Sequence, residues 1–185
     1  MDHGWQQRFP ALFAPHYVEY ADADVRLWLG SFNRAVVTRL HLIAVTGDGT
    51  VIVCRADDGR RFLPGGTREP GESLDELAAR ELREEAGAEP TGLLQYFCGL
   101  DVLSRRDQPW RPHQSHPRSL WAYAAVAVDV VGPPTCPADV EQIVDVRALE
   151  PDEAAAYLDE APGDGHADVV RLAEAMGLIR AVARR

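Results

Sequence analysis

Residues 65–88 read GGTREPGESLDELAARELREEAGA, and the fold turns on how this stretch is understood. Leu74, Leu77, Ala78 and Leu82 recur at intervals of three and four, the spacing of one buried helix face. Ser73 stands where an N-cap belongs, with Glu76 three residues on as its capping-box partner, and Gly87 stops the helix. The opposite face is acidic. Seven acids lie between Glu69 and Glu85, and Glu81, Glu84 and Glu85 project together on one side. Like charges so placed repel unless something neutralises them. Two readings are open: a solvated face, the usual fate of a charge run, or a seat for a hard divalent cation. Magnesium takes carboxylate oxygens and is commonly shared with substrate phosphates. Arg80, four residues before Glu84, is placed to hold that carboxylate. The Pro-Gly-Gly of 64–66 and the Glu-Pro-Gly-Glu of 69–72 favour the cation. Glycines let the backbone pass close to a ligand, and a merely wet helix needs no such entrance.

Upstream of this helix the period is two. Arg39 to Val45 and Thr50 to Arg55 read as strands joined by a Gly47-Asp48-Gly49 turn, a hairpin. Arg61 to Leu63 is a short strand running into the glycines. Downstream, Leu93 to Leu100, Ser119 to Val131 and Glu141 to Ala148 read as strands. A polar loop with three prolines, 101–118, separates the first two. Pro151 opens a helix to Leu158, and His166 to Arg180 reads as one final helix. Residues 1–36 read as irregular, an extension whose seven aromatics pack on the domain or across a homodimer. The domain proper is expected over 37–185.

Composition bounds the function. Acids outnumber bases 29 to 19 in 185 residues, a formal charge of -10. That field disfavours a nucleic-acid polymer as partner. Every base is arginine, which excludes a Schiff-base lysine and the lysine of a phosphate-binding P-loop. The three cysteines form no CxxC pair and suggest no zinc site. No signal peptide and no span long enough for a bilayer is visible, so the expectation is a cytoplasmic protein with no membrane partner.

The same stretch resembles the signature of the Nudix hydrolases, G-x5-E-x7-R-E-U-x-E-E-x-G-U, where U is bulky and aliphatic. Gly66, Glu72, Arg80-Glu81-Leu82, Glu84-Glu85 and Gly87 occupy its positions. Only Ala88 departs, being smaller than usual. The resemblance implies an α/β fold, the Nudix α/β/α sandwich with a mixed β-sheet. It implies a pyrophosphohydrolase, MutT-like, in which water attacks phosphorus and splits the diphosphate of a nucleoside diphosphate derivative. Glu81, Glu84 and Glu85 would then hold Mg2+, with Mn2+ the alternative. Arg80 would orient a metal-binding glutamate, Glu72 would support the loop, and Gly65, Gly66 and Gly87 would shape it. The general base is a box glutamate or an acid of the later loop, Asp139 or Glu141.

The substrate is less legible. Arg105, Arg106, Arg111 and Arg118 concentrate positive charge in an acidic chain, and Trp110 offers a stacking face, so Arg105, Arg106, Trp110 and Arg111 are candidates for substrate binding. The alternative is a solvent-facing loop. His113 and His116 are spaced as a zinc pair would be, but no further ligand stands nearby in sequence. A different class of function also remains open, a nucleotide-binding sensor or interaction module on the same fold. Three self-repelling carboxylates speak against it.

Overall fold

The computed structural model describes residues 4–136, 142–161 and 165–184. In chain order its elements begin with two short helices, α1 (Trp5–Arg8) and α2 (Pro10–Phe13), and two strands, β1 (His16–Val18) and β2 (Ala23–Leu29). A 3-10 turn leads into β3 (Val37–Val45), β4 (Val51–Ala56), β5 (Arg61–Phe62) and β6 (Gly65–Thr67). Then come α3 (Leu74–Glu81), continued by a π-turn over Leu82–Ala86, and β7 (Ala88–Pro90), β8 (Gln95–Ser104), β9 (Arg118–Val130) and β10 (Ile143–Leu149). The chain closes with α4 (Pro151–Asp159), α5 (His166–Ala175) and α6 (Leu178–Ala183).

The main strands run in the order β1-β2-β8-β9-β3-β4-β10, with β5, β6 and β7 attached to β4, β3 and β9. β3 and β9 are parallel and the other pairs antiparallel, so the sheet is mixed. The two central strands are buried on both faces, which explains their near-continuous apolar sequences. In β3, Leu40, Leu42 and Ala44 join Leu77, Ala78 and Leu82 of the box helix in one core. Ile43 and Val45 point the other way, into a second core with Val170, Leu172 and Ile179 of the C-terminal helices. Two cores on either side of one sheet make the α/β/α sandwich. Each fully buried leucine contributes about 1.5–3 kcal/mol by leaving water.

Three local expectations need correction. The first 36 residues are not irregular: β2 pairs with β8 along its whole length, from Ala23↔Ser104 to Leu29↔Cys98. Ala23, Val25 and Leu27 are buried while Asp24, Arg26 and Trp28 face outward, a period-two pattern that flanking acids obscure. Trp5, Phe9 and Phe13 pack against the second core. The hairpin of β3 and β4 is also looser than its turn suggests. The two share a single paired position, Val45↔Val51. Beyond it β4 turns to β10, and β3 is bridged on that side by β6. Finally, the last helix is two helices, because the chain turns at Gly177 between α5 and α6.

Candidate active site

The box helix is set by its caps and its buried face. Ser73 Oγ accepts from the Glu76 N–H at 3.2 Å, and Glu76 Oε2 accepts from the Ser73 N–H at 2.8 Å, so the expected capping box is formed. With Leu74, Leu77, Ala78 and Leu82 in the core, Arg80 and the glutamates are turned toward β6 and its loop. After Glu81 the helix widens into the π-turn, which Gly87 leaves in a left-handed conformation at φ 60. A Cβ on Gly87 would lie 2.0 Å from the Gly132 carbonyl oxygen, so both the conformation and the close approach require glycine there.

Arg80 is the organising cation. Its Nε donates to Glu72 Oε1 at 2.8 Å and its Nη2 to Glu72 Oε2 at 3.2 Å, a two-pronged contact. Its Nη1 donates to Glu81 Oε1 at 2.8 Å and to Glu84 Oε2 at 3.3 Å. Its Nη2 also reaches the Thr67 carbonyl at 3.2 Å, tying the helix to β6. The hydrogen bond to Glu72 does most to raise the guanidinium's pKa. Burial pushes Glu72 up, but Arg80 and the Glu69 N–H outweigh it, and the carboxyl ends below its ordinary value. Glu81 goes the other way: it is buried, and desolvation raises its pKa despite Arg80.

The two glycines of β6 have separate tasks. The Gly65 N–H donates to Glu85 Oε2 at 2.8 Å. A Cβ on Gly65, at φ 151, would meet the Leu40 carbonyl oxygen at 2.2 Å. A Cβ on Gly66 would meet Glu81 Oε1 at 2.1 Å. Gly66 is thus the seat in which the Glu81 carboxylate lies.

The carbonyls at the helix end, which an α-helix leaves without partners, are met by the segment after β9 and by two thiols. Thr135 N–H donates to the carbonyls of Glu84 at 3.1 Å and Arg83 at 3.3 Å. Cys136 Sγ donates to the Glu84 carbonyl at 2.9 Å, and Cys54 Sγ to that of Glu85 at 3.4 Å. Val131 N–H closes onto the Gly87 carbonyl at 2.8 Å. Sequence reasoning passed over Thr135 and Cys136, because nothing in their types or spacing marks a contact made across the fold. Asp139 and Glu141, the candidates for a base outside the box, lie outside the described residues.

The metal candidates share a face and are all hard oxygen donors, which suits magnesium. The buried Glu81 is the strongest sign, since a desolvated carboxylate is stabilised in its charged form by a cation beside it. As placed, the three have different protein partners. Glu81 and Glu84 reach Arg80, Glu85 reaches the Gly65 N–H, and no three His, Cys, Asp or Glu side chains among the described residues gather around one point.

Beside the box, a cleft of about 190 Å³ opens where β2 meets the 105–118 loop. Arg106 and Trp110 line it; Arg105 and Arg111 do not. Arg105 instead pairs with Asp24, at 2.6 Å from Nη2, and lies over the Tyr17 ring. The Arg111 carbonyl accepts from the Gln114 N–H at 2.9 Å. His113 and His116 bond different carbonyls, those of Arg68 at 3.0 Å and Arg106 at 2.9 Å, so the zinc spacing is spent on pinning the loop. Tyr20, Arg39, Thr67 and Trp121 complete the cleft beside the box. They come from β3, β6, β9 and the turn between β1 and β2, elements far apart in sequence, and the alternation of β2 is the one local signal that would have brought the N-terminal segment near.

Residues 36–171 match the NUDIX domain family. No curated protein is similar enough in sequence to count as a relative. Among solved structures, a pyrophosphohydrolase of Bacillus subtilis is 20% identical at a TM-score of 0.49, over 66% of this chain and 70% of its own. The MutT protein of Methanosarcina mazei is 16% identical at 0.44, over 80% and 99%. An ADP-ribose pyrophosphatase from Streptococcus suis is 19% identical at 0.44, over 80% and 94%. Among the described residues no helix is long and apolar enough to cross a membrane.

Proposed function

The chain belongs to the Nudix hydrolase family, and from that premise we propose that it hydrolyses the diphosphate linkage of a nucleoside diphosphate derivative with Mg2+, or Mn2+, held by Glu81, Glu84 and Glu85. The observation that carries this reading is the Arg80 node. One guanidinium binds Glu72, Glu81 and Glu84 together and ties them to the Thr67 carbonyl. A solvated acidic face has no use for a buried carboxylate fitted under a glycine.

A bound divalent cation supplies neutralisation of the diphosphate charge and acidification of the attacking water. The protein's part is position. Gly66 and Arg80 fix Glu81, the Gly65 N–H fixes Glu85, and Glu72 holds Arg80 in the orientation that serves the other two. Proton acceptance from the attacking water falls to a box glutamate or to Asp139 or Glu141. The rest of the substrate extends from the box into the neighbouring cleft, against Arg106 and Trp110.

The test is a panel of nucleotides and nucleotide sugars incubated with magnesium, followed by assay of phosphate, pyrophosphate and nucleoside monophosphate. Turnover that vanishes in excess chelator and returns with magnesium or manganese supports the proposal. Full activity in chelator overturns the metal. No turnover across the panel, beside tight binding of one nucleotide, replaces the enzyme with a sensor.

A further inference from the structure

The cleft beside the box is basic in an acidic chain. The chain carries 29 acids against 19 bases, yet no acidic side chain lines this cleft and two guanidiniums do, Arg39 and Arg106. Two nearby arginines are neutralised: Arg80 by Glu72 and Glu81, Arg105 by Asp24. Among the described residues no carboxylate pairs with Arg39 or Arg106.

Both are instead held by rings and neutral acceptors. Arg39 lies with Cζ 5.8 Å from the Trp121 ring centre, and its Nη1 donates to Tyr20 Oη at 3.1 Å. Tyr20 in turn stacks on Trp121, at 6.1 Å between ring centres and 8° between planes. Arg106 lies 4.5 Å from the Trp110 ring centre, and donates from Nε to the Ala21 carbonyl and from Nη2 to that of Tyr20, each at 3.2 Å. Aromatic faces orient a guanidinium without cancelling its charge. The Nε of Arg39 is buried and makes no hydrogen bond, although a buried donor costs stability until it is met. Two oriented, uncancelled guanidiniums in one cleft are suited to a phosphate or carboxylate, the groups that arginine binds most strongly.

The scissile diphosphate is assigned to the metal held by the box carboxylates, none of which lines this cleft, so the arginines are placed for a different anion. Resting on the hydrolase reading, we propose that the cleft takes a second acidic group of the substrate. The preferred substrates are then nucleoside diphosphate derivatives that bear a further phosphate or carboxylate away from the scissile linkage. Thr67 makes the connection, since it lines the cleft while its carbonyl holds Arg80.

The experiment uses matched pairs that differ in that one group: UDP-glucose against UDP-glucuronate for a carboxylate, and ADP-ribose against its 2′-phosphate for a phosphate. Affinities are measured by calorimetry on the full chain with Ca2+ in place of Mg2+, which keeps the diphosphate charge neutralised at the box, and a product assay of the same samples reports separately on the enzyme reading. The expected result is tighter binding of the acidic member of at least one pair, on the order of tenfold. Which pair shows the gain identifies the group. Arg106→Gln and Arg39→Gln should each shrink the gain. Arg106, on the exposed loop, keeps the test valid if the Arg39 variant fails to fold. Equal affinity within both pairs, no binding by any member, or arginine variants that weaken both members alike would each overturn the proposal.

Discussion

Gly66→Ala tests whether the seat of Glu81 is a working part of the site. The added methyl carbon would stand 2.1 Å from Glu81 Oε1, 2.6 Å from its Cδ and 2.9 Å from Oε2. Carbon and oxygen settle at about 3.3 Å, so the carboxylate must retreat by about 1.2 Å. The displaced atom is the one that accepts from Arg80 Nη1 at 2.8 Å. Backbone geometry does not object, since Gly66 has a φ open to any residue and the obstacle is the far end of a side chain. A misplacement of about 1 Å at a reacting site costs roughly a hundredfold in rate, or about 2.7 kcal/mol of barrier. Stability should fall by no more than about 1–3 kcal/mol, the usual effect of forcing a methyl into a filled site. Gly65→Ala is the contrast, because its Cβ would meet backbone, 2.2 Å from the Leu40 oxygen and 2.7 Å from the His41 Cα. The β3–β6 pairing must open, so folding should suffer first. Gly47→Ala, with nothing within 4 Å, is the control. The assay is kcat/KM on the substrate the panel identifies, beside denaturant unfolding of each variant. A Gly66→Ala enzyme within twofold of wild type at unchanged stability would refute the claim that Glu81 works from this seat.

Glu84→Gln and Glu85→Gln should each lower kcat by about 10²–10³. Metal-free stability should move by no more than about 1 kcal/mol, because relief of like-charge repulsion opposes the weakening of the contacts of Glu84 with Arg80 and of Glu85 with the Gly65 N–H; near-normal turnover in both would remove these residues from the chemistry. Leu77→Ala opens a cavity under a side chain that is 0% exposed and should cost roughly 2–4 kcal/mol in denaturant unfolding. Its activity per folded molecule should be little changed, and a loss beyond the unfolded fraction would mean that the two helix faces are not separable. His41 sets a pH dependence. Burial, with His166 and Arg39 nearby, holds its imidazole well below the ordinary value, so the unfolded chain binds a proton that the folded one refuses. Its contribution to stability is complete above about pH 6.5 and is lost progressively as pH falls toward the folded value. Thermal melts between neutral and mildly acid pH should show a shallower acid decline in His41→Leu, and superimposable slopes would rule the histidine out as a source.

What could be read from the sequence followed from how local its cause was. The box helix was legible because its period, its capping box and its stop residue all lie within fifteen or so positions, and residues that close in sequence are set by local geometry. The roles of Arg80 and Glu72 came through the family resemblance and meet in one hydrogen-bonded node. The cleft was half visible. Arg106 and Trp110 stood out by composition, but Arg39 and Trp121 looked like ordinary strand residues, and only the pairing of β3 with β9 brings them together. Arg105 shows the converse case. Its charge resembled that of Arg106, yet an antiparallel neighbour, Asp24, claims it. The β3–β4 turn misled in the same way: a turn fixes where two strands begin, whereas β6 and β10 decide how far they stay together. Gly177 lay inside an apolar stripe that continues past it, and periodicity alone cannot tell one helix from two in register.

The thiol contacts at the end of the box helix give the molecule a natural attachment point. Cys54 and Cys98 are buried, and burial pushes both thiols well above their ordinary pKa, which leaves them poor nucleophiles. Cys136 is the partly exposed one, and its sulfur touches the carbonyl of Glu84. A maleimide fluorophore or nitroxide added to the native chain should therefore settle on Cys136 without any engineered cysteine. Thr135 would still hold that carbonyl after labelling, so the probe would report on ion and substrate arrival from the edge of the site while the backbone beneath it stays in place.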